Sequence, residues 1–225
     1  MSIYKQYLGS DFNKLHPMMQ RRFGVNPADG SYMIGRGKMD RIWNGGLHTL
    51  PFLYFGTRRN IMFPERGRDI PFTIENYAYF DSFGRETVTW IRQFNFNKKV
   101  RHFDATMVYD AEQQTIVDYL GNKQHLAVDI NMRVNEDGSV TIQSGNQRFY
   151  EGPVAFRFPK LFSGDAEVRE AYDERTNRFN ISVRVRNRAF GDLFGYNGYF
   201  EAEFGQIKPD GIPAYAKPLR EEHRR

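Results

Sequence analysis

The sequence contains no cysteine. That removes disulfides, thiolate metal sites and thiol nucleophiles, and it fits a reducing compartment. No apolar run approaches the ~20 residues of a helical membrane span. The N-terminus lacks the charged-then-apolar layout of a signal peptide, so the expected location is cytoplasmic. Histidines number only five. His16, His48, His102, His125 and His223 show neither the i, i+4 helical pairing nor the short strand spacing of metal ligands. His102 shares a strand face with Asp104, and His125 more distantly with Asp129, but two ligands do not make a metal centre. No metal and no cofactor are expected. Gly35-Arg36-Gly37 lacks the third glycine and the βαβ setting of a phosphate loop, and reads as a bulge or turn. Ser144-Gly145 and Ser163-Gly164 lack the Gly-x-Ser-x-Gly elbow of serine hydrolases.

What the chain has in excess is aromatic side chains, 16% of 225 residues, with 20 Phe and 13 Tyr. These residues favour strands. Hydrophobic residues make up 40%, enough for a sizeable core. Lys and Arg (32) exceed Asp and Glu (27), for a net charge of +5. The excess is spread along the chain apart from a basic cluster at 217–225, and reads as a solvated surface. The stretch 178–188, with Arg184, Arg186 and Arg188, is read as basic residues mixed with aromatics of the kind single-strand binders use. Acidic residues nearly balance the basic ones, and no nucleic-acid partner is expected.

In chain order, Phe12, Leu15, Met19 and Phe23 form a helical stripe, capped by Ser10 or Asp11 and ended by Gly24 and Pro27. Tyr4, Tyr7 and Leu8 suggest a short helical turn before it. Residues 31–39 read as a short strand. Residues 42–63 are strongly apolar but interrupted by Gly45-Gly46, Pro51 and Gly56, as in a broken helix lying across one end of a sheet, and their apolar density reads as core or as the mouth of a ligand pocket. From Ile70 the pattern alternates. Turns are expected at Asp81-Ser82-Phe83-Gly84, Asn97-Lys98 and Asn135-Glu136-Asp137-Gly138, and a bulge at Gly145. Gly152-Pro153 reads as a corner, and Phe156, Phe158 and Pro159 as a short apolar passage. Leu126, Val128, Ile130, Met132 and Val134 share one face, as do Phe179, Ile181, Val183 and Val185.

These signals predict a mainly β (α+β) fold. Nine or ten strands form a large antiparallel curved sheet or barrel, with an N-terminal helix and a broken second helix packed on it. Residues 1–205 form a single β-rich domain. Residues 206–225 are a basic, Pro- and charge-rich tail expected to be poorly ordered. The sequence sets no oligomeric state.

Several motifs carry a resemblance to a known family. They are residues 4–8 with Leu15-His16-Pro17, residues 51–56, Trp90-Ile91-Arg92 with Phe94, Asp118-Tyr119-Leu120-Gly121, residues 152–159 and residues 195–200. Together they resemble the bacterial family domain of unknown function 4166, in its firmicute-type members. The resemblance spans about residues 4–204 and implies one intact domain. It implies no particular activity and no catalytic residues. Related domains in that family occur fused to membrane segments or to a dehydrogenase-like domain, and a chain with neither is implied to be a stand-alone cytoplasmic protein.

The centre of the pattern is Thr89-Trp90-Ile91-Arg92-Gln93-Phe94. Val88, Trp90, Arg92, Phe94 and Phe96 share a face, which puts a guanidinium in an apolar row. A buried arginine without partners costs several kcal/mol. Asp118, on one face with Ile116 and Leu120, is its expected partner. Two readings stand: an internal ion pair that fixes barrel register, or an arginine that receives the polar head of a ligand. Tyr77, Tyr79, Tyr109, Tyr119 and Tyr150 line a cavity in the second reading and simply pack in the first. His125 is a candidate general base beside Asp118. Three functions follow. The first is non-enzymatic binding of an amphipathic small molecule, lipid or fatty-acid-like, by Trp90, Arg92, Phe94, Asp118, Tyr119, Tyr77 and Tyr79. The second is an enzyme, an isomerase or hydrolase, in the same cavity. The third is a structural or interaction domain with a filled core.

Overall fold

The computed structural model describes residues 1–151, 154–157 and 164–224. Gly152-Pro153, Phe158 and Pro159 therefore lie outside the described residues. Twelve strands follow a short helical start: β1 (Ser31–Asn44), β2 (Gly67–Phe80), β3 (Glu86–Phe96), β4 (Lys99–His102), β5 (Ala105–Asp110), β6 (Thr115–Leu120), β7 (Leu126–Val134), β8 (Val140–Glu151), β9 (Val154–Arg157), β10 (Asp165–Asp173), β11 (Arg178–Asn187) and β12 (Gly191–Gln206). All pair antiparallel. Ten of them run β10-β11-β12-β1-β2-β3-β5-β6-β7-β8, and β8 then pairs with β10. The sheet is thus a closed ten-stranded barrel, with β4 on β3 and β9 on β8 as short appendages. Closure removes the exposed edges that a long sheet would otherwise present.

Alternation fixes which side chains fill the barrel. Val88, Trp90, Arg92 and Phe94 of β3 point inward, as do Phe72, Ile74 and Ala78 of β2. The interior is filled unevenly. Phe63, Phe72, Phe94, Phe194, Tyr196 and Phe200 make one continuous aromatic cluster on the β1–β2–β12 side. Gly35 of β1 makes room for it, since a Cβ there would come within 2.5 Å of the Phe200 ring. The opposite wall carries smaller aliphatics, among them Val128, Ile130, Ile142, Val183 and Val185. In the turn 135–138, Gly138 takes φ +73 and its carbonyl accepts from His16 N at 3.0 Å, which ties the N-terminal segment to that hairpin.

The short helical turn expected at the start is α1 (Ile3–Leu8), and the expected single helix over 12–23 is instead two pieces, a 3₁₀ stretch (Gly9–Lys14) and α2 (Pro17–Phe23). Gly9 at φ +54 ends α1, and Pro17 cannot continue a helix from behind but opens one well. The caps are accordingly Ser2 and His16, not Ser10 or Asp11. The stripe itself holds: Phe12, Leu15, Met19 and Phe23 are buried and plug one end of the barrel. Residues 31–39 are the first part of a longer strand. The broken helix narrows to a 3₁₀ turn (Leu47–Thr49) and α3 (Leu50–Thr57) at the other end.

The C-terminal segment is not a loose tail. Ile212 and Ala216 bury against Tyr77, Tyr79 and Ile91 on the outer wall. Beyond them Leu219 N donates to Asn122 O at 2.7 Å and Arg85 Nη2 to Glu222 O at 2.9 Å. Its few apolar residues decide its fate, because the outer face of β2 and β3 offers them an apolar surface.

The plug holds the most buried ion pair among the described residues. Arg22 of α2 donates from Nε and Nη2 to both carboxylate oxygens of Glu170 and from Nη1 to Asn76 Oδ1. Its guanidinium also lies 4.7 Å from the Trp90 ring centre. Glu170 sits on β10 opposite Val140 of β8, at the seam that closes the barrel. Replacing Arg22 by Leu leaves Glu170 as a lone buried charge. The expected loss is about 3–5 kcal/mol in urea unfolding at neutral pH. An unchanged unfolding midpoint would show that the pair does not hold the seam.

Candidate functional site

The aliphatic half of the barrel is not filled. It encloses a cavity of about 230 Å³ that extends to α3. Its wall is mostly apolar, with Phe103, Met107, Leu120, Val128, Ile142 and Val183 contributing. Among these stand Arg92, Asp118, Ser144 and Gln147. Ser144 and Gln147 are an odd number of residues apart, so plain alternation would separate them. A register shift in the β7–β8 ladder pairs Val128 with Gln147 and Ile130 with Ser144, and brings both inside. The bulge expected at Gly145 is the cause. Both are already engaged: Ser144 Oγ accepts from Ala166 N at 2.7 Å, and Gln147 donates to Gly164 O.

Arg92 is buried, but not as expected. Its Nε donates to Phe103 O at 2.7 Å and its Nη1 to the Tyr196 hydroxyl at 3.2 Å. The guanidinium stacks on the Phe103 ring with its carbon 3.9 Å from the centroid. These two hydrogen bonds use Nε and Nη1. The expected ion pair with Asp118 does not form. Asp118 faces the same cavity, and its Oδ1 is buried without a hydrogen-bond partner among the described residues. Burial pushes its pKa up to about 7, and the positive charge of Arg92 opposes that only in part. The two residues line one cavity without pairing, because facing the same interior does not bring strands β3 and β6 into contact across intervening β5.

The remaining expected site residues divide. Trp90 lines the cavity, and its Nε1 donates to the Tyr4 hydroxyl at 2.8 Å, which donates on to Met107 Sδ at 3.2 Å. Phe94 points inward but packs in the aromatic cluster, between Phe63 and Phe72. Tyr77, Tyr79 and Tyr119 do not line the cavity. They alternate onto the outer wall, Tyr77 and Tyr79 under the C-terminal segment. Tyr119 packs there with Val108, Val117 and Tyr150 and donates to Arg224 O at 3.0 Å. His125 is not beside Asp118. It lies 2.7 Å from Glu151 and stacks on Phe149. Arg184 and Arg186 are engaged by Asp192 at 2.9 and 3.1 Å.

With this geometry in hand, the relatives can be placed. The pattern of the family described as Domain of unknown function (DUF4166) matches residues 15–200. The chain belongs to the DUF4166 family. The uncharacterized protein YndH of Bacillus subtilis (strain 168) is 36% identical to it over 203 residues, covering 90% of this chain and 97% of YndH. No solved structure matches the chain. The matched span of this DUF4166 member runs from Leu15 to Phe200. It therefore holds both Arg92 and Asp118 and all of the closed barrel except the last six residues of β12.

What sequence reasoning missed at this site is Phe103, Ser144 and Gln147, whereas the apolar stretch that holds the α3 aromatics had the mouth of a pocket among its readings. Only the bulge signal at Gly145 pointed toward two of them.

The raised pKa of Asp118 has a definite stability sign. The folded chain holds this proton up to about pH 7, whereas the unfolded chain releases it near 3.8. Stability is therefore full below about pH 4 and falls as the pH rises toward 7, by roughly 4 kcal/mol at 1.36 kcal/mol per unit. Asp118→Asn removes that slope. Melting curves from pH 4 to 8 should show the variant gaining on the wild type as pH rises, and a constant difference would refute the assignment.

Proposed function

We propose that the barrel binds an amphipathic small molecule whose apolar body fills the cavity and whose polar end sits between Arg92 and Asp118. One observation carries this reading: a buried cation and a buried carboxyl face one apolar cavity and leave Nη2 and Oδ1 unengaged by each other. A head group that accepts from Arg92 and donates to or accepts from Asp118 completes both. A carboxylic acid or a hydroxyl does so, which gives a lipid or fatty-acid-like ligand. Apolar burial supports the same reading, since an alkyl chain seated against this wall leaves water at about 25 cal/mol per Å² of its surface.

The test is binding of a dansyl-labelled undecanoic acid, together with native mass spectrometry of the protein as purified. Micromolar binding is expected, with a loss of tenfold or more in Val128→Trp, which fills the cavity, and in Arg92→Met. A wild type that binds nothing, or a Val128→Trp variant that binds equally well, counts against the proposal.

A second reading rests on Asp118 alone. A carboxyl with a pKa near 7 in an apolar cavity is poised for general acid–base work. With His125 outside the cavity, Asp118 has no basic partner there. On this reading an isomerase or hydrolase would return a chemically altered ligand with wild type and an unaltered one with Asp118→Asn.

A further inference from the structure

The helix over the cavity is apolar on the wrong side. Leu53 and Gly56 of α3 face inward and are buried. Phe52, Tyr54 and Phe55 face solvent at 62%, 61% and 54% exposure, and Leu47 just before them at 85%. Phe190 adds a further half-exposed ring from the β11–β12 loop, its centre 6.1 Å from that of His48. From Leu47 to Gly56 the chain has no Lys, Arg, Asp or Glu. An apolar cluster of this density at the surface of a folded protein marks a contact site.

Cations surround it. Arg58 is exposed and has no ion pair among the described residues. The Arg59 guanidinium lies 3.8 Å from the Phe55 ring centre. A groove adjoining at Phe190 is lined by Arg41, Arg66 and Arg68. The one carboxylate in that groove, Asp192, is already engaged by Arg184 and Arg186.

We infer that this face docks on an anionic lipid bilayer, with the aromatic apex entering the interface and the arginines meeting the head groups. The charge pattern selects this occupant over a second copy of the chain. A symmetric self-contact would set Arg58, Arg66 and Arg68 against their own copies. The position selects it too. Phe52 and Phe55 belong both to the exposed apex and to the cavity lining, so the cavity opens through the docking face. This inference rests on the reading of the cavity as a ligand site: an amphipathic molecule would pass between bilayer and barrel without crossing water.

Co-flotation with phosphatidylcholine vesicles, with and without 30% phosphatidylglycerol, tests it. Binding is expected only to the phosphatidylglycerol vesicles and should fall severalfold between 50 and 300 mM salt. Leu47→Ser combined with Tyr54→Ser touches the apex but not the cavity lining. It should cut vesicle binding tenfold or more and leave dansyl-fatty-acid binding intact. Val128→Trp should do the reverse, so failure of docking and failure of the cavity reading are told apart. Docking is overturned by a wild type that ignores both vesicles, by a double variant that floats as well as wild type, or by binding only to an acidic protein. It is equally overturned by a concentration-dependent dimer that the double variant abolishes without any vesicle binding.

Discussion

The pairing of β8 with β10 is the constraint on which the rest depends. It joins the two ends of a ten-strand path and turns a sheet into a barrel. Once closed, the interior has a fixed width, and ten strands enclose more space than eight, whose side chains are just able to fill a barrel. The chain fills one half with phenylalanines and leaves the other half to valines and isoleucines. The cavity is the remainder. Its position is a matter of side-chain size along each strand, and so of sequence, but only after closure has decided which strands face each other.

Among the described residues the interior holds two arginines, and they are treated differently. Arg22 meets a carboxylate with two hydrogen bonds and an amide with a third. That arrangement repays desolvation and leaves nothing for a ligand to do. Arg92 meets a carbonyl, a phenol and an aromatic face. Those contacts hold its orientation without neutralising its charge. The ion pair expected of Arg92 is thus made, in the same barrel, by another arginine, at the seam where register has to be held.

Much of the fold was legible because alternation is local. The inward faces of β3, β7 and β11, the turn at 135–138 and the bulge at Gly145 all follow from short patterns. What failed was everything that depends on which distant segments meet. One local feature failed too: the break at Pro17 splits the helix expected over 12–23, whose apolar stripe is nonetheless continuous. The segment after Gln206 reads as solvated by composition, yet Ile212 and Ala216 find the outer wall. Tyr77, Tyr79 and Tyr119 were placed by residue type, whereas strand parity puts them outside. Strand parity does put Arg92 and Asp118 on one surface, but says nothing of the distance between them.

That distance is the point on which structure and function separate. A short Arg92–Asp118 contact would draw the Asp118 pKa down and keep both groups charged and mutually satisfied. With no ion pair formed, burial outweighs the attraction, and the Asp118 pKa is held up near 7. A barrel selected only for stability would replace Asp118 with an aliphatic residue, since a lone buried carboxyl contributes nothing to packing and costs free energy whenever it ionises. The arrangement becomes favourable when a third group, polar and carried on an apolar body, stands between the two side chains.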